Sequence, residues 1–158
     1  MDLVVRPATR DDVAAITHLY LEVADEVVGR DPLFRHVPDP VHIEQRYASR
    51  VEETDCAVLI GAVDGKVVAF VDVALIRQSD AGIYHAPGVD AYVEELIVTR
   101  SQRRRGVARA LMDTVEAWAR EAGARIVTLD THVTNAPARA LYDALGYREV
   151  GVILLREL

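Results

Sequence analysis

Cysteine is nearly missing from this chain. Cys56 is the only one among 158 residues, so no intrachain disulfide can form. Five histidines and that one cysteine lie at no ligand-like interval, so no metal site is expected. Lysine is reduced to Lys66 among 18 basic residues, a skew that genomic composition explains. Positive charge is not in excess either. The formal net charge is −7 and the sequence pI is near 5.2, which argues against nucleic-acid or membrane-surface partners. No apolar run reaches the length of a membrane span. No N-terminal run joins basic residues to a long apolar stretch, so a reduced, cytoplasmic protein is expected. Three catalytic signatures are also absent: the Gly-x-Ser-x-Gly elbow, the Gly-x-x-x-x-Gly-Lys-Ser/Thr phosphate loop, and Gly-x-Gly-x-x-Gly after a strand. Serine hydrolases, P-loop NTPases and dinucleotide folds lose their usual support.

What is present describes a globular protein. Hydrophobic residues make up 51% and charged residues 27%, enough for one domain with a real core spanning 1–158. The opening "LVVRPATRDDVAAITHLYLEVADEVV" reads as a short strand, a proline break and a helix. Thr9 is placed to cap that helix, and Val13, Ile16, Leu19, Tyr20, Val23 and Val27 recur at helical spacing. "VHIEQRYASRVEE" reads as a second helix. The period then changes. "CAVLIGAVDGKVVAFVDVALI" is two β-branched runs joined through Asp64–Gly65, a strong hairpin signal, with Cys56 as a small apolar residue opening the first. "AYVEELIVT" is another strand.

The next segment carries the most information. Arg100, Arg103, Arg104, Arg105 and Arg109 crowd into ten residues of an acidic protein. They run through Gly106 into a helix whose apolar face is Val107, Leu111, Met112, Val115, Trp118 and Ala119, with Gly123 at its end. "ARIVTLDTHV" returns to strand, making a β-α-β unit with two parallel strands. "NAPARALYDAL" is a short helix with Asn135 at its N-cap, and "YREVGVILLREL" reads as strand or hairpin. A helix start after a strand offers unpaired amides and the positive end of a dipole, and Gly106 lets an anion approach the backbone. Arg103, Gly106 and Ala108 satisfy the spacing Arg/Gln-x-x-Gly-x-Gly/Ala. Taken alone, that spacing also fits a solvated basic turn.

Two blocks decide between those readings. "VEELIVTRSQRRRGVARALM" followed by "NAPARALYDALGY" resembles the GNAT superfamily of acyl-CoA N-acyltransferases, as does the opening "VVRPATRDDVAAI". The resemblance implies a single-domain α/β fold: a mixed central β-sheet flanked by helices, with a splayed parallel strand pair. It implies acetyl-CoA as acyl-donor cosubstrate, its pyrophosphate on the loop Arg103, Arg104, Arg105, Gly106, Val107 and Ala108, with Arg109 just after. It further implies a β-bulge near Glu95–Leu96 that opens the strand pair, and a pantetheine arm bonded to the backbone of Leu96, Ile97 and Val98. Ala108 stands where the family more often has glycine.

The implied reaction is direct attack of a primary amine on the thioester in a ternary complex. The backbone amide of Val98 is the expected oxyanion donor. By resemblance Tyr142 protonates the leaving thiolate, and Asn135 holds the cofactor arm. Glu94 is the expected base, by resemblance to members with an acidic residue four positions before Val98. Strand alternation is expected to send Glu94 and Glu95 to opposite faces. Glu95, His85 and His132 are weaker candidates, and a pair of glutamates covering a sheet edge is the plain alternative. The competing function is a non-catalytic acyl-CoA-binding or regulatory module. The acceptor stays open among peptide N-termini, lysines, polyamines, amino acids and amino-sugar antibiotics. Segments 28–40 and 81–90 are expected to shape its side of the cleft. Neither nucleic acid nor membrane is an expected partner, and the resemblance makes room for a homodimer through the C-terminal strands.

Overall fold

Asp64 and Gly65 have φ of 50° and 79°. Two successive positive-φ residues make the tight turn whose twist matches flanking strands. They join β2 (Cys56–Val63) to β3 (Lys66–Gln78), in register from Val63↔Lys66 to Cys56↔Ala74 with a shift at Gly61/Ala62. The hairpin is the centre of a five-stranded sheet in a computed structural model that describes residues 2–30, 39–78, 86–154 and 156. The strand order is β1 (Leu3–Pro7), β2, β3, β4 (Gly88–Val98), β5 (Val127–Leu129). All neighbours are antiparallel except β4 and β5, which are parallel. This is the mixed sheet expected.

Alternation along the strands builds two cores. Val58, Ile60, Phe70 and Ile97 point to one face, under α1 (Val13–Val28) and α2 (Pro40–Arg50). Leu59, Val71, Val73 and Val93 point to the other, under α3 (Val107–Glu121). The α3 stripe seats as its periodicity predicts: Val107, Leu111, Met112 and Val115 are buried. Each side chain contributes about 1.5–3 kcal/mol of transfer free energy. The short α4 (Ala136–Ala144) has no fully buried residue and leans on the same core through Tyr142 and Leu145.

Thr9 does begin the first helical segment, through a 3-10 turn at Arg10–Asp12. Asp12 accepts from the Thr9 amide at 2.8 Å and its hydroxyl at 3.1 Å, while Arg6 donates two bonds to the same carboxylate.

Two expectations fail. The strand expected over 125–133 shrinks to the three residues of β5. Residues 147–154, expected as strand, form none, and Val150, Val152, Ile153 and Leu154 are exposed. A single extended segment cannot hold strand geometry without a ladder partner to pair its amides.

Candidate active site

The register between β3 and β4 skips one residue. Asp72 faces Glu95 and Val73 faces Val93, so Glu94 is the extra residue of a β-bulge. The expected bulge is therefore present, one position earlier than the sequence suggests. The parallel ladder between β4 and β5 covers only Ala91, Tyr92 and Val93. It ends where the bulge begins, while the ladder with β3 continues to Val98. The two strands part at Glu94.

The extra residue also changes which amides face the opening. The Ala91 amide donates across to Ile126 O at 2.9 Å, so the odd-numbered positions face β5 before the bulge. Beyond it, the Thr99 amide donates to Val68 O at 2.9 Å, on the β3 side. Alternation back from Thr99 sends the Ile97 amide to β3 and those of Leu96 and Val98 toward the splay. Of the three residues expected to present backbone there, Leu96 and Val98 do. Ile97 does not, because β3 occupies its backbone groups.

Glu94 and Glu95 were expected on opposite faces, and they share one. Glu94 Oε1 accepts from Arg50 at 2.7 Å, and its Oε2 meets Arg46, both arginines on α2. Glu95 Oε1 accepts from the Tyr20 hydroxyl of α1 at 2.6 Å. A bulge suspends alternation for one residue, so consecutive side chains fall on the same side. Asp72 belongs to the same group. It is fully buried, and its carboxylate accepts from Arg50 Nε at 2.9 and 3.2 Å, with Arg46 at 3.7 Å.

These environments separate the two glutamates chemically. Both oxygens of Glu94 are occupied by guanidinium groups. Burial pushes the Glu95 carboxyl above the usual range, and the Tyr20 hydroxyl and Arg46 only partly oppose it. A half-buried carboxylate with one oxygen outside any hydrogen bond among the described residues is better suited to take a proton than an ion-paired one. Tyr142, on α4, is half-buried and 5.8 Å in ring centroid from Tyr147. Burial, then the charges of Asp130 and Glu95, push its phenol up to about 12. Those two carboxylates are thus its electrostatic neighbours.

Asn135 sits at the N-cap of α4 but does not cap with its side chain. Its amide nitrogen donates to Thr131 Oγ1 at 3.3 Å, back across the loop from β5. His132 fixes that loop, with Nδ1 2.7 Å from Thr134 Oγ1 and accepting from the Thr134 amide. His85 and the segments 31–38 and 79–85 lie outside the described residues. Cys56 is buried, and burial first of all raises its thiol to about 11, which suits a packing role.

The arginine turn divides into two groups. Glu26 of α1 binds Arg100 at 2.6 Å and Arg103 at 3.0 Å, and Arg103 Nε also donates to Val98 O at 3.1 Å. Glu26 thus shares its one negative charge between the guanidiniums of Arg100 and Arg103. Arg104 has no partner among the described residues. Among the described residues Arg105 and Arg109 meet only neutral oxygens, of Gln102 at 3.0 Å and Ala144 at 3.4 Å. Arg104 has φ of 62° and Gly106 of 83°, both left-handed, immediately before the first free amides of α3, those of Val107, Ala108 and Arg109. Such a turn concentrates inward amides beside three uncompensated positive charges. That arrangement suits a diphosphate.

Sequence reasoning missed Tyr20, Arg46, Arg50 and Asp72. One signal was visible: Asp72 is a lone acid in the apolar run "VVAFVDVALI", and Arg46 and Arg50 are four apart on α2. No group of three or more potential metal ligands occurs among the described residues.

Residues 14–147 match the Acetyltransferase (GNAT) family model. An aminoglycoside N(6')-acetyltransferase type 1 of Stenotrophomonas maltophilia is 30% identical over 145 residues, 92% of this chain and 86% of that protein. The N-acetyltransferase YhfO of Bacillus subtilis is 26% identical over 147 residues, 92% of this chain and 89% of its own. Among solved structures, a mutant of the BH1408 protein from Bacillus halodurans superposes with a TM-score of 0.87 at 21% identity, covering 98% of this chain and 99% of that one. AAC(6')-Iy in complex with the bisubstrate analogue CoA-S-monomethyl-acetylneamine gives 0.74 at 24%, covering 100% and 99%.

Proposed function

The chain belongs to the acetyltransferase (GNAT) family, and on that premise we propose that it acetylates a primary amine of a small polycationic acceptor by direct attack in a ternary complex. It is an acetyl-CoA-dependent N-acetyltransferase; the acceptor and the residue roles are our reading. The observation that carries it is the bulge at Glu94, which at one point frees the β4 edge and gathers carboxylates beside it.

Acetyl-CoA supplies an acyl group already activated as a thioester. The residues suited to hold it are the free backbone edge of Leu96 and Val98, the turn Arg104–Ala108, and the uncompensated guanidiniums of Arg104, Arg105 and Arg109. Asn135 adds an amide beside the path of the arm. Val98 N–H donates to the carbonyl oxygen as negative charge collects there, where a preorganised donor outperforms water. Glu95, not Glu94, takes the proton that the amine loses as its nitrogen bonds to the acetyl carbon. The bond to sulfur breaks, and Tyr142 delivers its proton to the departing thiolate. Its phenol keeps that proton at neutral pH because burial pushes it up to about 12.

An amine of the aminoglycoside kind is the acceptor we favour. Asp72, Glu94 and Glu95 put three carboxylates against two arginines beside the β4 bulge, in a chain of net charge −7. The relative from Stenotrophomonas maltophilia is named for that class. The test is release of thiol from acetyl-CoA across aminoglycosides, polyamines, amino acids and peptides. Turnover confined to peptides would overturn the acceptor class. Thermal stabilisation by acetyl-CoA with no transfer to any amine would make the chain a binding module instead. We also infer a homodimer, because the exposed apolar run at Val150, Val152, Ile153 and Leu154 needs cover. Light scattering that finds a monomer at micromolar concentration would refute it.

A further inference from the structure

A carboxylate buried in the middle of an apolar strand needs a reason. Asp72 is fully buried on β3, among Phe70, Val71 and Val73. A packed core gains nothing from it: an aliphatic residue there would be as stable, with Arg50 left at the surface. Two facts give its position meaning. It stands directly across the ladder from Glu95, at the residue where the register skips. Its one close partner, Arg50, uses a second nitrogen to hold Glu94, the bulged residue itself, and a third to reach Glu53 at 3.1 Å.

We propose that Asp72 is a positioning residue for acetyl transfer: through Arg50 it pins the bulged Glu94 to α2, and its own charge across the ladder makes Glu95 a stronger base. This rests on the reading of Glu95 as base. Arg50 spans both carboxylates in one rigid guanidinium, so the bulge cannot relax without breaking a buried ion pair. Glu94 is thereby held against α2 by Arg50 and Arg46, while Glu95 keeps one oxygen outside any hydrogen bond among the described residues.

The electrostatic half depends on what else faces Glu95. From α1 comes the Tyr20 hydroxyl, and from α2 come Arg46 and the Tyr47 phenol, with Arg50 behind. From β3 comes Asp72, from β4 come Glu94 and Tyr92, and from α4 comes Tyr142. Arg46 and Tyr20 favour the ionised carboxylate, and Asp72 and Glu94 oppose it. Since Arg50 already compensates Asp72, removing the Asp72 charge also leaves Arg50 more positive. Both changes act in one direction, toward easier ionisation of Glu95.

The experiment is the pH profile of kcat/KM for Asp72→Asn, which keeps the shape and an acceptor for Arg50. The acid limb is expected to move down by about one pH unit, the size of one partly screened charge at this separation. The plateau is expected to fall several-fold, because a weaker base accepts the proton less readily. The KM for acetyl-CoA should not change. An acid limb that stays in place while activity falls would reduce Asp72 to a packing role and overturn the proposal. Glu95→Gln separates the two readings. Full turnover in that variant removes the base assignment, whereas loss of turnover there with an unmoved limb in Asp72→Asn removes only the present inference. If Asp72→Asn does not fold, Arg50→Lys tests the tether. It keeps the charge and breaks the span, so kcat should drop several-fold with the limb unmoved, and unchanged kcat would overturn the tether.

Discussion

The Tyr20 hydroxyl, on α1, donates a hydrogen bond to Glu95 Oε1 at 2.6 Å, on the strand that α1 covers. The bond favours the ionised carboxylate, against the burial that raises it. Tyr20→Phe removes that support and should push the Glu95 carboxyl higher still. A hydrogen bond of about 1 kcal/mol corresponds to roughly 0.7 pH unit. The acid limb of kcat/KM should therefore move up, opposite to Asp72→Asn. A profile that does not move, recorded by thiol release from pH 5 to 9, would separate Glu95 from catalysis.

Tyr142→Phe deletes the proposed acid and leaves its ring packed on the α3 core beside Tyr147. General-acid contributions are of order ~10²–10⁴ in rate. kcat is expected to fall at least a hundredfold, with acetyl-CoA binding, read by calorimetry, nearly unchanged. Equal activity in both proteins would take the acid role from Tyr142.

Gly106 is left-handed at φ 83°, and a Cβ built on it meets nothing within 4 Å. Gly106→Trp thus costs the fold only backbone strain, about 1–2 kcal/mol. Its side chain would fill the space before α3 where the diphosphate is assigned. Affinity for acetyl-CoA should drop at least tenfold while the protein stays folded. Undiminished affinity would move the phosphate site elsewhere.

Asp12 is the clearest source of acid lability. Hydrogen bonds from Arg6 hold its carboxyl down at about 2, against an ordinary value near 3.9 in the unfolded chain. A depressed folded-state value stabilises above the unfolded one and is lost as pH falls through the folded one. The contribution, about 1–2 kcal/mol, is complete above roughly pH 5 and fades toward pH 2. Urea midpoints at pH 7 and pH 3 should differ less in Asp12→Asn than in the native protein. An equal pH dependence in both would assign the lability to other carboxylates.

The elements that sequence made legible are those fixed by near neighbours. The Asp64–Gly65 turn and the α3 stripe from Val107 to Ala119 both depend on residues within a turn or two. The errors share the opposite property. The two glutamates were assigned opposite faces because alternation was counted through a bulge whose position only β3 defines. The ion pair of Arg103 was not foreseen because Glu26, its partner, lies 77 residues away in the chain. The strand expected over 125–133 and the strand or hairpin expected over 147–154 depended on partners that the local pattern does not name.

By itself, then, the amino-acid order determined the family, the period of most helices and strands and the glycine turn at the entrance to α3. Those properties need only local backbone preferences and the spacing of apolar side chains. Which glutamate is ion-paired and which keeps an oxygen outside any hydrogen bond among the described residues was decided by the tertiary structure. That choice turns on one unmatched residue between two strands and on arginines brought from α2, and charges interact through space, not along the chain.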